Sequence, residues 1–152
     1  MIKKLLLFPV VILLIAMLHC QMACKSEYSV TIKSKTVKVE IADSEEARSK
    51  GLMYRDILDA DSGMLFIFPQ EDIRHFWMKN TSIPLSIAFI AESGIIVDIK
   101  NMRPYSEADV PSAGPAKYAL EVNKDWFKNN NIVAGDRAVF SSEIRKKYIV
   151  RQ

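Results

Sequence analysis

The chain has 152 residues, of which 49% are hydrophobic and 26% are charged, and its formal net charge is +3. These values exclude an intrinsically disordered chain, and the 5 glycines and 6 prolines exclude a collagen-like or low-complexity sequence. The length is that of one ordinary globular domain.

The first 23 residues have the pattern of a secretory signal. Lys3 and Lys4 form a cationic start, and an apolar run of 14 residues follows from Leu5 to Leu18. A run of that length is shorter than the roughly 20 residues that a transmembrane helix needs, and it is typical of the central region of a signal peptide. We therefore expect residues 1–23 to be removed on export, residues 24–27 to form a tether, and residues 28–152 to form a single β-rich domain.

Both cysteines of the chain, Cys20 and Cys24, directly follow the apolar run. The small residue Ala23 before Cys24 resembles the lipobox of bacterial lipoproteins, so we predict that Cys24 carries the lipid and anchors the domain to the membrane on the extracytoplasmic side. The alternatives are modification at Cys20, cleavage without lipid addition, an uncleaved signal-anchor, and a disulfide between the two cysteines.

The charge of the mature chain argues against nucleic acid as a partner. Loss of Lys3 and Lys4 lowers the net charge from +3 to +1, and a nearly neutral domain has no electrostatic footprint for phosphates. Lys33, Lys35 and Lys38 alternate with apolar residues, which indicates the solvated face of a strand.

Alternation of apolar and polar residues predicts two strands at 28–33 and 36–42, followed by a short helix. Asp43 with Glu46 three residues later has the spacing of a capping box, and Lys50 before Gly51 is a typical helix end. Residues 101–115 form a long proline-containing loop, and 125–130 form one helical turn. Further strands are predicted at 64–68, 75–79, 85–91, 95–100, 118–122 and 137–141, with Gly94 in the turn between the third and fourth of these. About seven short strands with one or two short helices predict a mainly β fold, a small antiparallel barrel or sandwich.

The segment from residue 51 to 94 contains a dense set of unusual motifs. They are Gly51-Leu52-Met53 with Arg55, Gly63-Met64-Leu65-Phe66 with Phe68-Pro69, Phe76-Trp77-Met78-Lys79-Asn80-Thr81, and Ile83-Pro84-Leu85. With Leu120-Glu121 and Gly135-Asp136, this order resembles the uncharacterised prokaryotic family "domain of unknown function 192" from about Val37 to Val139. The family usually has an acid where this chain has Ser86 and another where it has Ala91. The resemblance implies a compact β-rich fold, frequent export and no known cofactor.

The polar motif residues and the tryptophan form our candidate ligand-binding site. Its members are Arg55, Trp77, Lys79, Asn80, Thr81 and Glu121. Arg55 and Lys79 would hold an anionic group, since a guanidinium recognises carboxylates well. In the alternative, structural interpretation, Arg55 and Glu121 form an ion pair, while Asn80 and Thr81 stabilise the turn before Pro84. Trp77 and Lys79 are expected on one strand face.

Other chemistries have less support in the sequence. His75 is the only histidine after the signal, so a zinc site would lack ligands. Met53, Met64 and Met78 could in principle bind copper(I), but methionines among aromatic residues more often pack in the core. We expect no metal or cofactor.

The leading hypothesis is a membrane-anchored accessory domain that binds an envelope protein, a cell-wall component or a small anionic ligand. The alternative is an envelope hydrolase that uses Glu121 or Asp136 as its base.

Overall fold

The computed structural model describes residues 28–149; the predicted signal, Cys20, Cys24, the tether and residues 150–152 lie outside the described residues. The strands are β1 (Ser29–Ile32), β2 (Lys35–Ala42), β3 (Ser62–Asp72), β4 (His75–Phe76), β5 (Leu85–Ile90), β6 (Ile96–Met102), β7 (Val110–Pro111), β8 (Ala116–Asn123) and β9 (Ala138–Phe140). The helices are α1 (Glu45–Lys50), α2 (Trp126–Asn129), α3 (Ser142–Ile144) and a π-helix (Arg145–Ile149).

Seven of these strands form one curled sheet in the order β6-β5-β8-β3-β2-β1-β9, and β4 pairs with β7 in a small second sheet. The mainly β fold with short helices is confirmed. All pairs are antiparallel except β2 with β3, because α1 and the loop after it return the chain to the same end of the sheet. An isolated bridge between Ile95 and Arg137 brings the two edges together at one end, so the sheet is a half-barrel.

Side chains on the two faces of this sheet pack into two hydrophobic clusters. The first cluster contains Leu65, Tyr118, Leu120 and Val122, and it is covered by α2 and α3. The second cluster contains Met64, Phe66, Leu85, Ile87 and Phe89 and lies under Leu52, Met78 and Ile83. Because neighbouring residues of a strand point to opposite faces, Leu120 belongs to the first cluster whereas Glu121 points into the second.

The predicted helix at 43–50 is present, but its cap is not the predicted one. The side chain of Ser44, not that of Asp43, accepts the backbone N–H of Ala47 at 3.1 Å. Asp43 instead accepts a hydrogen bond from the hydroxyl of Tyr148. Gly51 ends α1 with a φ of 49°, in the left-handed region that favours glycine.

The strand predicted at 75–79 is shorter than expected. It ends at Phe76, because the N–H of Met78 donates to the carbonyl of Ser106 and the chain turns at Lys79 and Asn80. The expectation that Trp77 and Lys79 share a strand face is therefore wrong. The loop expected at 101–115 contains the short strand β7. The described residues hold nine strands in all, where about seven were predicted.

Candidate functional site: an aromatic groove and the polar residues around it

Arg55 forms an ion pair with Glu40 of β2, and not the predicted one with Glu121. Its two terminal nitrogens donate to the two carboxylate oxygens of Glu40 at 2.5 and 2.6 Å. The hydrogen bonds from Arg55 lower the pKa of the Glu40 carboxyl. The Glu40 carboxylate offsets the charge of this guanidinium, which makes Arg55 a weaker site for an anionic ligand. Arg55 is therefore in an ion pair, as in the structural interpretation, but with a different partner.

Glu121 lies in the middle of the sheet, opposite Met64 on one neighbouring strand and Ile87 on the other. Its side chain is only 4% exposed, and within residues 28–149 we find no hydrogen bond to its carboxyl group. Desolvation by burial raises the pKa of Glu121 to about 8, from an ordinary value of 4.5. The group therefore keeps its proton at neutral pH, and within residues 28–149 no hydrogen bond or ion pair joins it to another predicted site residue.

Asn80 and Thr81 hold loops together. The carbonyl of Asn80 accepts the N–H of Tyr54 at 2.9 Å, and its side chain donates to the Tyr54 hydroxyl. The carbonyl of Thr81 accepts the N–H of Tyr105 at 3.0 Å. Tyr54, Asn80 and Tyr105 all have positive φ values, a conformation that costs energy in residues other than glycine. Three loops are thus joined by strained turns, through contacts with Tyr54 and Tyr105 that differ from the local stabilisation of the turn before Pro84.

Trp77 and Lys79 meet although no strand joins them. The ammonium of Lys79 lies 5.2 Å from the centre of the Trp77 ring, within the range of a cation–π contact. The same ammonium is 3.8 Å from the carboxylate of Glu107. The indole is 48% exposed, whereas Trp126 is buried. Of the six predicted site residues, the structure brings together this pair and, separately, Arg55 with the loop of Asn80 and Thr81.

Trp77 borders a groove of about 330 Å³ between α1 and the strands β3 and β4. Its lining consists of four aromatic side chains and four polar residues, namely Phe66, Phe68, Phe76, Trp77, Glu45, Arg48, Ser49 and His75. Phe76 is at the centre of the aromatic wall, with edge-to-face contacts of 5.0 Å to Phe66 and 6.4 Å to Phe68. The aromatic wall therefore offers ring edges and faces to a guest.

Arg48 is the cation at the rim of this groove. One terminal nitrogen donates to the carbonyls of Asp43 and Ile67 at 2.7 and 2.9 Å, and the guanidinium lies 5.3 Å from the ring centre of Phe68. These contacts fix the guanidinium while its other nitrogens remain available to a ligand. On the opposite side His75 is bound to Asp109 at 2.8 Å.

A second cleft, of about 620 Å³, lies between the outer edge of β6 and the segment from 125 to 134. Its polar end is a closed ring of hydrogen bonds: Ser86 donates to Asn101, Asn101 donates to Asp125, and the N–H of Asp125 donates back to Ser86. Ser86 is one of the positions where the chain departs from the motif pattern. All three polar groups are used within this ring.

The remaining candidates from the sequence occupy structural positions. Met64 and Met78 pack in the second hydrophobic cluster, and His75 is exposed. Lys33 binds Asp136 at 2.9 Å, and a hydrogen bond from the Val133 N–H lowers the pKa of this carboxyl. Among residues 28–149, no three His, Cys, Asp or Glu side chains come close enough to hold a metal ion. No helix in this range has the length and apolar character to span a membrane.

The comparison with known families agrees with the motif pattern. The model of the family DUF192, described as "Uncharacterized ACR", matches residues 28–140. The chain belongs to the DUF192 family. No curated protein matches it.

Two crystal structures resemble this DUF192 chain. One is a proposed transcription regulator from Sinorhizobium meliloti 1021, with 37% identity over 76% of this chain and 94% of that one, and a TM-score of 0.72. The other is a protein of unknown function from Novosphingobium aromaticivorans DSM 12444, with 34% identity over 73% and 83% of the two chains and a TM-score of 0.71.

The sequence analysis missed the polar half of the groove. Arg48 carried no motif signal, because it is one of several charged residues on a short helix. Phe66 and Phe68 could have been placed together, since residues two apart on a strand share a face. Their closeness to Trp77 depends on contacts between β3 and β4, which no local pattern shows.

Proposed function

We propose that this DUF192 protein is an exported, membrane-anchored domain that binds a small ligand composed of a ring and an anionic group. The observation that carries the proposal is the groove of about 330 Å³ beside Trp77. Its volume is at the lower end of the range for small-molecule pockets, and mostly apolar walls with a few polar groups are typical of such sites.

The aromatic wall supports recognition of a ring. Phe76 and the half-exposed Trp77 can contact a flat ring by stacking or edge-to-face packing, and such pairs contribute about 0.5–1.5 kcal/mol beyond the burial of area. The Lys79 ammonium lies 5.2 Å from the centre of the indole ring and places a cation beside the ring surface.

The charge at the rim supports an anionic group on the ligand. Arg48 keeps free donors and is fixed by two backbone carbonyls, so less side-chain entropy is lost when it binds a carboxylate. Lys79 adds a second cation beside Trp77. Glu45, in the first turn of α1, also lines the groove. Its negative charge would repel a second anionic group, so we expect a ligand with a single anionic group next to Arg48.

The ligand hypothesis is tested with two small probes, phenylacetate and its neutral counterpart phenylacetamide. Binding is followed through the fluorescence of Trp77, obtained as the difference between the wild type and Trp77→Phe. We expect saturable binding with a preference for phenylacetate. Arg48→Gln should remove the preference and leave weak binding of both probes.

Tyr54→Ala is the matched control, because Tyr54 is an aromatic residue that is more exposed than Trp77 and lies outside the groove. Because Trp77→Ala removes the fluorescent reporter, binding to both variants is measured by isothermal titration calorimetry. Trp77→Ala should abolish probe binding, whereas Tyr54→Ala should leave it intact. Equal loss in the two variants, or no saturable binding of either probe to the wild type, would refute the groove as a binding site.

The anchoring hypothesis has its own test. Cys24→Ser should move the protein from the membrane fraction to the soluble fraction, and mass spectrometry of the wild type should find acyl chains on Cys24. Cys20→Ser is the control and should stay in the membrane fraction. A wild-type protein without acyl chains at either cysteine would contradict the proposal.

The hydrolase alternative, with Glu121 as its base, is favoured by one observation: the pKa of Glu121, about 8, lies near neutral pH, where a group in general acid–base catalysis works best. The enclosed position of its carboxyl group weighs against access by a substrate, and the contacts of Asp136 occupy that carboxylate. A screen of ester and amide substrates tests this alternative: turnover that disappears in Glu121→Gln with folding intact would favour an enzyme.

A further inference from the structure

The first described residue, Tyr28, lies next to a basic segment at the C-terminal end of the described domain, the π-helix Arg145–Ile149. The backbone of Ser29 pairs with Ser141, whose N–H donates to the Ser29 carbonyl at 2.9 Å. The ammonium of Lys147 lies 6.0 Å from the ring centre of Tyr28. The π-helix and the first residue of the domain therefore share one surface.

This segment is amphipathic, although it is short. Ile144 is fully buried, and Tyr148 and Ile149 pack against the first hydrophobic cluster. Arg145, Lys146 and Lys147 between them are exposed. The apolar side chains hold the segment on the domain, so the three cations are presented to the outside from a fixed position. We call these three residues the basic patch.

Two carboxylates lie beside the basic patch and partly offset its charge, since Asp43 acts on Lys147 and Glu143 on Lys146. Asp43 accepts a hydrogen bond from Tyr148 at 2.8 Å, and Glu143 accepts one from Ser142 at 2.8 Å. From residue 144 to 152 the sequence contains four cations and no acid. Within the described residues, the three cations of the basic patch thus outnumber the two neighbouring carboxylates at the surface where the tether enters.

The tether limits how far this surface can be from the membrane. Tyr28 is four positions after Cys24, and an extended chain spans at most about 3.6 Å per residue, so Tyr28 lies within about 14 Å of a lipid attached at Cys24. Because Lys147 lies beside Tyr28, the short tether also keeps the basic patch close to the lipid headgroups.

We infer that the basic patch formed by Arg145, Lys146 and Lys147 docks on anionic phospholipid headgroups and fixes the orientation of the domain on the membrane. This inference rests on the proposed anchoring at Cys24. Each cation near an anionic surface favours attachment about fivefold. Three cations favour the docked orientation about a hundredfold over an undocked one, an effect that salt weakens.

The test uses the anchored full chain in vesicles of phosphatidylcholine, with or without part of that lipid replaced by phosphatidylglycerol. A water-soluble amine-acylating reagent labels the exposed lysines, and peptide mass spectrometry measures the rate at each. We expect Lys146 and Lys147 to be protected only in the phosphatidylglycerol vesicles, and the protection to disappear at high salt.

Lys128 is the internal control. It lies in α2, near the far end of β1, where Lys33 donates to the carbonyl of Asn131. Its labelling should be the same in both vesicles. Equal labelling of Lys146 and Lys147 in both vesicles, with the protein still anchored, would overturn the inference and leave the anchoring intact.

A pair of variants with equal charge changes separates the basic patch from general charge effects. Arg145→Gln with Lys146→Gln should reduce the docking equilibrium about 25-fold and expose Lys147 to the reagent. Lys124→Gln with Lys128→Gln should leave the protection of Lys147 unchanged, and equal effects of the two variants would refute a specific surface. A chain without acyl chains at Cys24 refutes the anchoring, and the docking inference then fails with it.

Discussion

The buried carboxyl group of Glu121 predicts a pH dependence of stability that one substitution should remove. The pKa of this group is raised from 4.5 to about 8 in the folded chain because burial disfavours its charged form. The folded state then keeps a proton that the unfolded state has lost between these two pH values. The free energy of unfolding should therefore fall as the pH rises from about 4.5 to about 8, and it should level off above.

The size of the effect follows from the shift. Each pKa unit corresponds to about 1.4 kcal/mol, so the full shift destabilises the folded chain by about 5 kcal/mol at high pH. No reduction for solvent screening applies, since the side chain is 4% exposed. Glu121→Gln cannot ionise, and it should be as stable as the wild type near pH 4 and more stable by about 5 kcal/mol near pH 9.

Urea unfolding of the wild type and Glu121→Gln at several pH values measures this difference. Glu107→Gln removes an exposed carboxylate in a loop, and it should change the free energy of unfolding by less than about 0.5 kcal/mol at every pH. A difference between the wild type and Glu121→Gln that does not change with pH would refute the interpretation of Glu121 as an uncharged, unpaired buried acid.

Three further experiments test separate parts of the structure. Gly63→Ala should cost about 3 kcal/mol in a urea titration, because its Cβ would lie 2.3 Å from a backbone oxygen of β8; a loss below about 0.5 kcal/mol would contradict this close approach. Ser86→Ala should cost about 1–3 kcal/mol and speed hydrogen exchange at the Asp125 amide, which loses its acceptor; unchanged exchange would exclude that hydrogen bond. A double-mutant cycle of Arg55→Ala and Glu40→Ala should give a coupling of about 0.5–1 kcal/mol, since both side chains are partly exposed. That coupling should vanish as the pH falls through the lowered pKa of Glu40, and a pH-independent coupling would show that the charges do not carry it.

The local parts of the fold could be predicted from the sequence. The hairpin of β5 and β6 follows from two short predicted strands joined at Gly94, which has a φ of 84° as the turn requires. The short helix after β2 follows from its polar start and from Gly51. These elements depend on residues close together in the chain, and the sequence shows such patterns directly.

The long-range parts could not be predicted. Arg55 contacts Glu40 only because β2 and β3 pair in parallel. The alternating pattern of β2 alone predicts that Glu40 faces the solvent, as Lys38 does. The predicted strand at Trp77 failed because a hydrogen bond from Met78 to Ser106 draws the chain away from the sheet. Of the six predicted site residues only Trp77 lines the groove, because the groove depends on packing between α1, β3 and β4.

An NMR titration of the chain with phenylacetate tests the central claim, that the aromatic groove is the ligand-binding site, most directly. The claim predicts saturable chemical-shift changes at the amides of Arg48, Phe68 and Trp77, with none at Ser86 or Asn101 in the second cleft. Changes that cluster at Ser86 and Asn101, or that do not saturate at the groove, would contradict it.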